Sequence, residues 1–463
     1  MSALWLILAA ALPLATGWLV ADGLGARTAG SRRAVANATL VAVLALPIGM
    51  LLHGGWFALA AVTLPGMRWL PLVGDAALLA GAWCAWRRLR LPSGRRVAGV
   101  RRPGLRDAWP LIAMAMVAAL SIAAAWGWHR VAPLGEWDAL AMWTLRARML
   151  DLAPPTIGVI FAAPFAHPDY PLMLSANVAR LWRWSGQDGL WVSGAVSAVS
   201  AGLMPAIVGA VCWRQRGAWL GLAGLLGAGG CYAFVRDAST QYADTWLATM
   251  MAGVAAAMAV TIESHRASAW RWGVIAGLLL GAAAFTKNEG VLFAALMLAA
   301  GGPIAWLRRD ARWALGLVVG LLPGALLVAW IKWMSIDHAA GGGHAGPGLW
   351  AERLLDGARW AEIGLGLRSM AGANLEWATP ALLVAGAVVL RCTARGRRGW
   401  LAPLALGGVA VSQAAVYLAF YVLGSPDPAW HVHRSADRLS LHLWPTVVMA
   451  AVLLCPCLSR PAR

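Results

Sequence analysis

The fold is decided by one stretch, Gly135-Glu136-Trp137-Asp138-Ala139-Leu140-Ala141-Met142-Trp143-Thr144-Leu145-Arg146-Ala147-Arg148-Met149-Leu150-Asp151. Two carboxylates one residue apart open this stretch, and apolar residues then recur at helical spacing. It follows directly after a long apolar run, Trp109 to Trp128. Ionisable side chains are therefore held at a membrane surface, where an uncompensated charge is costly.

Composition excludes a soluble protein built around a single core. Of 463 residues, 60% are hydrophobic and 13% are charged, and the apolar runs recur at lengths that cross a bilayer. The predicted fold class is therefore an all-α polytopic membrane protein. The net charge of +18 does not indicate nucleic acid, because the arginines lie mostly in short connections between apolar runs, where they set topology. We expect no nucleic-acid partner.

Thirteen apolar runs approach the roughly 20 residues that a bilayer crossing needs. They are Leu4–Val20, Ala34–Leu52, Trp69–Trp86, Ala108–Trp128, Gly189–Trp213, Ala218–Val235, Ala243–Ile262, Trp272–Phe285, Gly290–Leu307, Ala314–Trp333, Trp377–Leu390, Leu401–Leu423 and Leu439–Leu458. With the N-terminus outside, 24 of the 38 basic residues fall on the inner side and every inner connection has some. Positive charge favours the cytoplasmic side, so we predict an outside N-terminus and a cytoplasmic C-terminus.

This orientation places most of the remaining polar residues on the extracytoplasmic side, although they are far apart in sequence. The basic connection between Arg87 and Arg106 also divides the chain. We predict that residues 1–106 form an accessory N-terminal transmembrane bundle and that residues 107–463 form the catalytic module. The module includes two longer outer segments, 129–188 and 335–376.

The Glu136-Trp-Asp138 motif is the strongest candidate for acid and base chemistry. In a helix, positions two apart point to different sides, so one carboxylate can face a cavity while its neighbour is fixed by a cation. The alternative is that both acids only stabilise the positive end of a helix dipole. Their place at the membrane surface favours the functional interpretation.

Two further motifs place polar groups on the same side. In His167-Pro168-Asp169-Tyr170-Pro171 the prolines prevent a helix, and His167 and Asp169 are displayed from a rigid connection. A plain turn is the alternative there. Asp244 opens a span after Gln241-Tyr242-Ala243, where a helix cap is the commonest use of an aspartate.

The second strong signal is Thr286-Lys287-Asn288-Glu289-Gly290, which packs a cation, an amide and an acid between two apolar runs. Lysine occurs only twice in this arginine-rich chain, at Lys287 and Lys332, so a compact ammonium is indicated at Lys287. A Lys–Glu pair that closes a tight turn is the alternative. Before the last span, Arg438 has the planar fork of donors that binds phosphate.

The chain resembles the GT-C superfamily of integral membrane glycosyltransferases. The resemblance lies in the order of these motifs along the chain and in their predicted location on one side of the membrane. The likeness is to bacterial relatives of the protein mannosyltransferases and to the lipid A aminoarabinose transferase, and it covers roughly residues 108–458. The matching features are Glu136-Trp-Asp138, an amphipathic helix through Arg148, the His-Pro-Asp-Tyr-Pro turn, Asp244, Lys287-Asn-Glu-Gly and Arg438. Three spans precede the acid-bearing loop here, whereas the resembling proteins usually begin with it after their first span.

The resemblance implies an inverting enzyme that moves a sugar from a polyprenyl-phosphate carrier to a lipid, glycan or protein acceptor, outside the bacterial cytoplasmic (inner) membrane. Asp138, with Glu136 in reserve, would accept the acceptor's proton. Lys287 and Arg438, helped by Arg146 or Arg148, would stabilise the departing phosphate. The remaining roles would fall to Glu289 and Asp244, which orient Lys287 or bind sugar hydroxyls, and to His167, Asp169 and Tyr170, which line the acceptor side.

Other functional classes stay open at this point. An O-antigen ligase or polymerase type of enzyme would centre on a late outer loop, near His338, His344 and His431. A polytopic transporter would show ionisable residues at mid-span and broken helices in matching halves, and an accessory membrane subunit would need no chemistry. No metal site is predicted, because His431 and His433 lack a specified third ligand; no cofactor is specified, and a divalent cation is left open. Membrane lipids are the expected surroundings.

Overall fold

The computed structural model describes residues 2–24, 31–89, 105–152, 160–162, 167–230, 232–263, 266–308, 310–335, 347–373, 386, 400–425 and 427–455. All regular structure within these ranges is helical, as the composition predicts. The predicted span 377–390, apart from residue 386, and the histidines at 338 and 344 lie outside the described residues.

Seventeen α-helices carry the fold of the described ranges. They are α1 (Ser2–Leu24), α2 (Ser31–Thr63), α3 (Leu70–Leu89), α4 (Leu105–Val131), α5 (Leu145–Leu152), α6 (Met173–Ser185), α7 (Trp191–Arg216), α8 (Ala218–Gly229), α9 (Tyr232–Ser239), α10 (Asp244–Glu263), α11 (Arg266–Thr286), α12 (Asn288–Arg308), α13 (Arg312–Met334), α14 (Trp350–Leu355), α15 (Gly357–Ala373), α16 (Leu401–Ala419) and α17 (Pro428–Leu454). Two π-helical turns, Ala139–Thr144 and Phe420–Gly424, precede α5 and follow α16.

Ten of the described helices are long and apolar enough to cross a membrane, so the protein is a multi-pass membrane protein. The predicted span at Ala218–Val235 is a bent pair, α8 and α9, which would make an eleventh crossing if both belong to one span. Helix α3 lies where the third span is predicted, but it is not among the ten. The predicted count of thirteen is therefore not confirmed.

Helix α2 is longer than the predicted span Ala34–Leu52 and continues to Thr63. Gly54 and Gly55, which follow the predicted span, are part of the helix, and they allow close packing. A Cβ at Gly54 would lie 2.2 Å from Nδ2 of Asn177, and one at Gly55 would lie 2.4 Å from a methyl carbon of Leu327. The glycines thus let α2 pack against both α6 and α13.

Helix α17 begins eleven residues before the predicted span Leu439–Leu458. The Asp427 carboxylate accepts a hydrogen bond from the backbone N–H of Trp430 at 2.9 Å, and Pro428 occupies the first helical turn. Both are standard features of a helix N-terminus. Arg438 therefore lies within the helix and not before it, so the helix holds its backbone in place.

Helices α7, α10 and α17 end on the same side of the bundle. One end is marked by Arg216, whose guanidinium contacts Glu263 at 2.9 Å and the carbonyl of Leu453 at 3.0 Å, at the ends of α7, α10 and α17. The opposite end, here called the site end, carries the connection between α11 and α12. One large hydrophobic core extends from α1 and α2 to α17. Helices α1 and α2 contribute buried residues to it, Ala21 and Leu40 among them, and the domain boundary near residue 106 stays a prediction.

Helices α11 and α13 cross closely through facing glycines. A Cβ at Gly320 would lie 2.2 Å from the carbonyl oxygen of Val274, and one at Gly277 would lie 2.2 Å from that of Leu317. Small residues at helix interfaces let backbones approach closely inside a membrane. The crossing fixes the ends of the two helices, where Lys287 follows α11 directly and Lys332 lies in the last turn of α13.

Gly320→Ala is expected to lower the free energy of unfolding by about 1–3 kcal/mol, since the added methyl group overpacks the crossing. The control is Gly302→Ala in α12, where a Cβ would meet no atom within 4 Å. Alanine is the better helix former by about 0.5–1 kcal/mol, so the control should be neutral or stabilising. Thermal unfolding in detergent measures both, and a Gly320→Ala protein as stable as the parent would contradict the packing described here.

A buried ionic cluster ties the N-terminal helices to α6. The Asp75 carboxylate is completely buried. It accepts hydrogen bonds from Nε of Arg180 at 2.7 Å and from the indole N–H of Trp184 at 2.7 Å. Nδ1 of His53 lies 2.6 Å from its other oxygen. Arg180 also donates to the carbonyl of Ala9 at 2.8 Å. The cluster joins α1, α2 and α3 to α6, the helix that follows the His-Pro-Asp-Tyr-Pro turn.

Arg180→Met is expected to lower the free energy of unfolding by about 3–5 kcal/mol, because it leaves the Asp75 carboxylate buried without its cation. The double variant Arg180→Met/Asp75→Asn removes that charge and should recover much of the loss. Unfolding of both proteins in detergent measures the difference. Equal destabilisation in the single and double variants would show that the ion pair is not the source.

Candidate active site

A network of charged side chains converges at the site end from four separate segments. Lys287, between α11 and α12, is at its centre and is almost completely buried. Its Nζ lies 2.8 Å from Oδ1 of Asp244 and 3.0 Å from Oε1 of Glu289. Burial alone would lower the pKa of this ammonium, but the two carboxylates outweigh burial and hold its pKa above the ordinary value. Lys287 is therefore a permanent cation at neutral pH.

Arg438 links the centre of the network to the motif that opens the sequence. Its Nη1 lies 2.5 Å from Oδ2 of Asp138 and 3.9 Å from Oδ2 of Asp244. The guanidinium also lies over the ring of Tyr242, 5.1 Å from its centroid. Asp138, Arg438, Asp244, Lys287 and Glu289 are called the central network below.

Glu136 and Asp138 take different partners, although Glu136 lies in a bend and not in the helix that the spacing argument assumes. The hydroxyl of Tyr242 donates to Oε2 of Glu136 at 3.3 Å, whereas Asp138 accepts from Arg438. Asp138 precedes the π-helical turn Ala139–Thr144, and its side chain makes no capping hydrogen bond to it. Simple capping therefore does not describe Asp138. π-Helical turns are rare and often accompany functional sites.

Behind Asp244 a chain of polar side chains runs into the bundle. Nε2 of the completely buried His442 lies 3.2 Å from Oδ1 of Asp244, and its Nδ1 lies 2.9 Å from the hydroxyl of Tyr417. The amide of Gln413 donates to the same hydroxyl at 2.7 Å. Sequence reasoning missed this chain, although His442 follows Arg438 by four residues, a spacing that puts both on one helix face.

A second cluster adjoins the central network through Asn288. Nζ of Lys332 lies 2.5 Å from Oδ2 of Asp169 and 2.8 Å from Oδ1 of Asn288, and the Asn288 amide donates to the same Asp169 oxygen at 2.9 Å. Burial would raise the pKa of Asp169, but these hydrogen bonds and the Lys332 charge lower it. The three side chains are called the Lys332 cluster.

The His-Pro-Asp-Tyr-Pro turn is held by Arg146. Its guanidinium donates to the carbonyls of His167 and Tyr170, and burial lowers its pKa to about 10. His167 has a φ of 54°, a left-handed conformation that is uncommon outside glycine. Its ring stacks on Tyr170 with centroids 4.5 Å apart. The turn and the helix start at Met173 agree with the prediction.

Three predicted residues are placed apart from the central network. Arg146 is completely buried and contacts backbone carbonyls, so it positions the turn. Arg148 donates to Asp188 and lies over the Trp182 ring at 4.6 Å. Nδ1 of His431 faces the Ser425 hydroxyl at 3.2 Å. In the part of the chain that the structure describes, no three His, Cys, Asp or Glu side chains are grouped to hold a metal ion.

Comparison of the chain with protein-family models, with curated proteins and with solved structures finds no match. What the site does is therefore argued from its own geometry and from the motifs in the sequence.

Proposed function

We propose that the protein is a GT-C-type glycosyltransferase that moves a sugar from a polyprenyl-phosphate carrier to an acceptor on the extracytoplasmic side of the bacterial cytoplasmic membrane. The observation that carries the proposal is the contact between four segments that hold Asp138, Asp244, Lys287 and Arg438. Ionisable groups clustered at a membrane-embedded site are costly and mark function by default.

In this proposal Asp138 is the general base and Arg438 is the adjacent cation. A single displacement at the anomeric carbon needs a carboxylate that accepts the acceptor's proton as the new bond forms. The bond to the lipid phosphate breaks in the same step, and the configuration inverts. Arg438 has five N–H donors, so it can contact Asp138 and a phosphate oxygen together and stabilise the charge that develops there.

Lys287 acts through its partners in this mechanism. Because it is buried between Asp244 and Glu289, it holds both carboxylates in place, and its positive charge lies under the leaving phosphate. Tyr242 orients Glu136 by its hydrogen bond. His167 and Tyr170 form a stacked surface beside the network, which fits the acceptor side of the reaction.

Purified protein in detergent, incubated with a panel of polyprenyl-phosphate-linked sugars and with membrane lipids as acceptors, tests the proposal. We expect labelled sugar to leave the carrier and free polyprenyl phosphate to appear in equal amount. The transporter alternative is tested with the same protein reconstituted in vesicles, where a transporter would take up a solute without changing it chemically. Uptake without cleavage of any donor would contradict the proposal.

A further inference from the structure

Lys332 is the most accessible of the three cations that meet around Asn288 and Asp244. Its side chain is 37% exposed, against 21% for Arg438 and 7% for Lys287. Its Nζ contacts one carboxylate oxygen and one amide oxygen, whereas Lys287 is enclosed by two carboxylates. An incoming ligand can therefore reach Lys332 without displacing a buried ion pair.

The Lys332 cluster already has the donor arrangement that recognises an anionic oxygen. The ammonium of Lys332 and the amide N–H of Asn288 converge on a single oxygen, Oδ2 of Asp169, at 2.5 and 2.9 Å. An ammonium has three N–H donors and a side-chain amide has two. The same pair can thus donate to a second anion beside Asp169.

Charge balance favours this cluster over the central network for a phosphate group. The central network contains three carboxylates and two cations, and Glu136 adds a further carboxylate through Tyr242. Around Asp169 the balance is reversed, because Lys332 contacts it and the charge of the buried Arg146 also acts on it. The net charge therefore favours the Lys332 cluster as the place where the phosphate rests before the reaction, and it leaves Arg438 to contact the charge that develops during the reaction.

The outward-facing side of α13, about a quarter turn around the helix from Lys332, is apolar. Leu322, Leu326 and Trp333 lie on one side of α13, and Leu326 and Trp333 are 68% and 69% exposed. Because α13 is long and apolar enough to cross a membrane, this side contacts hydrocarbon, and Lys332 lies near its end, next to Trp333. A ligand with a phosphate at one end of an apolar chain matches both features, whereas free phosphate matches only the cation.

We propose that Lys332 and Asn288 bind the phosphate group of a lipid whose apolar chain lies along Leu322, Leu326 and Trp333 of α13. This inference rests on the proposed function, in which the donor is such a lipid. It orients the donor, with the phosphate at the Lys332 cluster and the sugar over the carboxylates of the central network. Lys332 then fixes the ground-state position of the phosphate, and Arg438 contacts the charge that develops during reaction.

The test measures binding of dodecyl phosphate to the purified, full-length protein by the change in tryptophan fluorescence, with dodecanol and inorganic phosphate as comparison ligands. We expect dodecyl phosphate to bind more tightly than either. Lys332→Met should weaken its binding about tenfold or more, the loss typical of a charged hydrogen bond. Lys332→Arg should keep most of the binding. The matched control is Arg312→Met, at the opposite, exposed end of the same helix.

Equal binding of dodecyl phosphate by the parent and by Lys332→Met would overturn the inference. So would equal binding of dodecanol, which lacks the phosphate, or of inorganic phosphate, which lacks the chain. The readout involves no sugar, so it separates the two proposals. Lost binding in Lys332→Met, combined with a parent that transfers no sugar, would support the lipid site and contradict the glycosyltransferase.

Discussion

Lys287→Met is expected to lower the free energy of unfolding by about 3–5 kcal/mol, as is typical when one partner of a buried ion pair is removed. Asp244 is 1% exposed, and Nζ of Lys287 is the nearest cationic atom to it, at 2.8 Å. His442 at 3.2 Å and Arg438 at 3.9 Å would remain. Neither replaces a full ammonium charge at hydrogen-bond distance, so the Asp244 carboxylate would be poorly compensated.

Two further variants test whether the loss of stability in Lys287→Met comes from the unpaired buried charge. The double variant Lys287→Met/Asp244→Asn removes both charges and should recover much of the lost stability. Asp188→Asn alters an ion pair whose carboxylate side chain is 79% exposed, and such pairs contribute about 0–1 kcal/mol. Thermal unfolding in detergent measures all three. If Lys287→Met unfolds at the same temperature as Asp188→Asn, then the central network is not a buried ionic unit.

Asp138→Asn is expected to lower the rate of sugar transfer about 100- to 10,000-fold, which is the typical contribution of a general base. An amide has nearly the shape of the carboxylate but cannot accept the acceptor's proton. The stability cost should stay near 0–1 kcal/mol, because the Asp138–Arg438 pair is partly exposed, with side chains 23% and 21% accessible. The measurement is the initial rate of transfer from a polyprenyl-phosphate sugar.

The control for Asp138→Asn is again Asp188→Asn, which also lies at the site end but contacts Arg148. We expect that protein to keep the parent rate. A folded Asp138→Asn protein that also keeps the parent rate would remove Asp138 as the base. Because Lys287→Met changes mainly stability and Asp138→Asn mainly rate, the two variants separate the residues that build the site from the one that does the chemistry.

Much of the architecture was predictable from hydropathy and charge. The order of apolar runs, the Arg-rich inner connections and the polar residues between spans predict a helical membrane protein. They also predict that Asp138, Asp244, Lys287 and Arg438 lie on a common side, and the structure places them in one contact network. Alternation of spans was sufficient for this, since residues at the same end of a bundle can meet regardless of their separation in sequence.

The exact partners were not predictable, because each pairing joins distant segments through tertiary packing. Asp169 and Lys332 are 163 positions apart, and Asp75 and Arg180 are 105 apart. No local periodicity links such pairs. Lys332 did leave a signal, since it is the only lysine besides Lys287 in a chain that otherwise uses arginine. His442 left a weaker signal, its four-residue spacing from Arg438.

The predicted helix boundaries were wrong where a helix extends beyond its apolar run. Helix α17 continues eleven residues beyond its apolar part because Asp427 and Pro428 start it early. Helix α2 continues past the predicted end at Leu52, and its Gly54 and Gly55 make close contacts there. In both cases the polar or small residues that end an apolar run remain helical, and they lie where the bundle forms contacts near the site end.

The central claim is that Asp138, Asp244, Lys287 and Arg438 form one site that opens to the extracytoplasmic side. Thiol labelling tests this claim most directly. Single cysteines at Trp137, Arg434 and Arg312, all exposed positions, are placed in a protein whose six native cysteines are replaced by serine. We predict that a membrane-impermeant maleimide labels Trp137→Cys and Arg434→Cys in intact spheroplasts and labels Arg312→Cys only after permeabilisation. Labelling of Trp137→Cys and Arg434→Cys from opposite sides, or of both only after permeabilisation, would contradict the account.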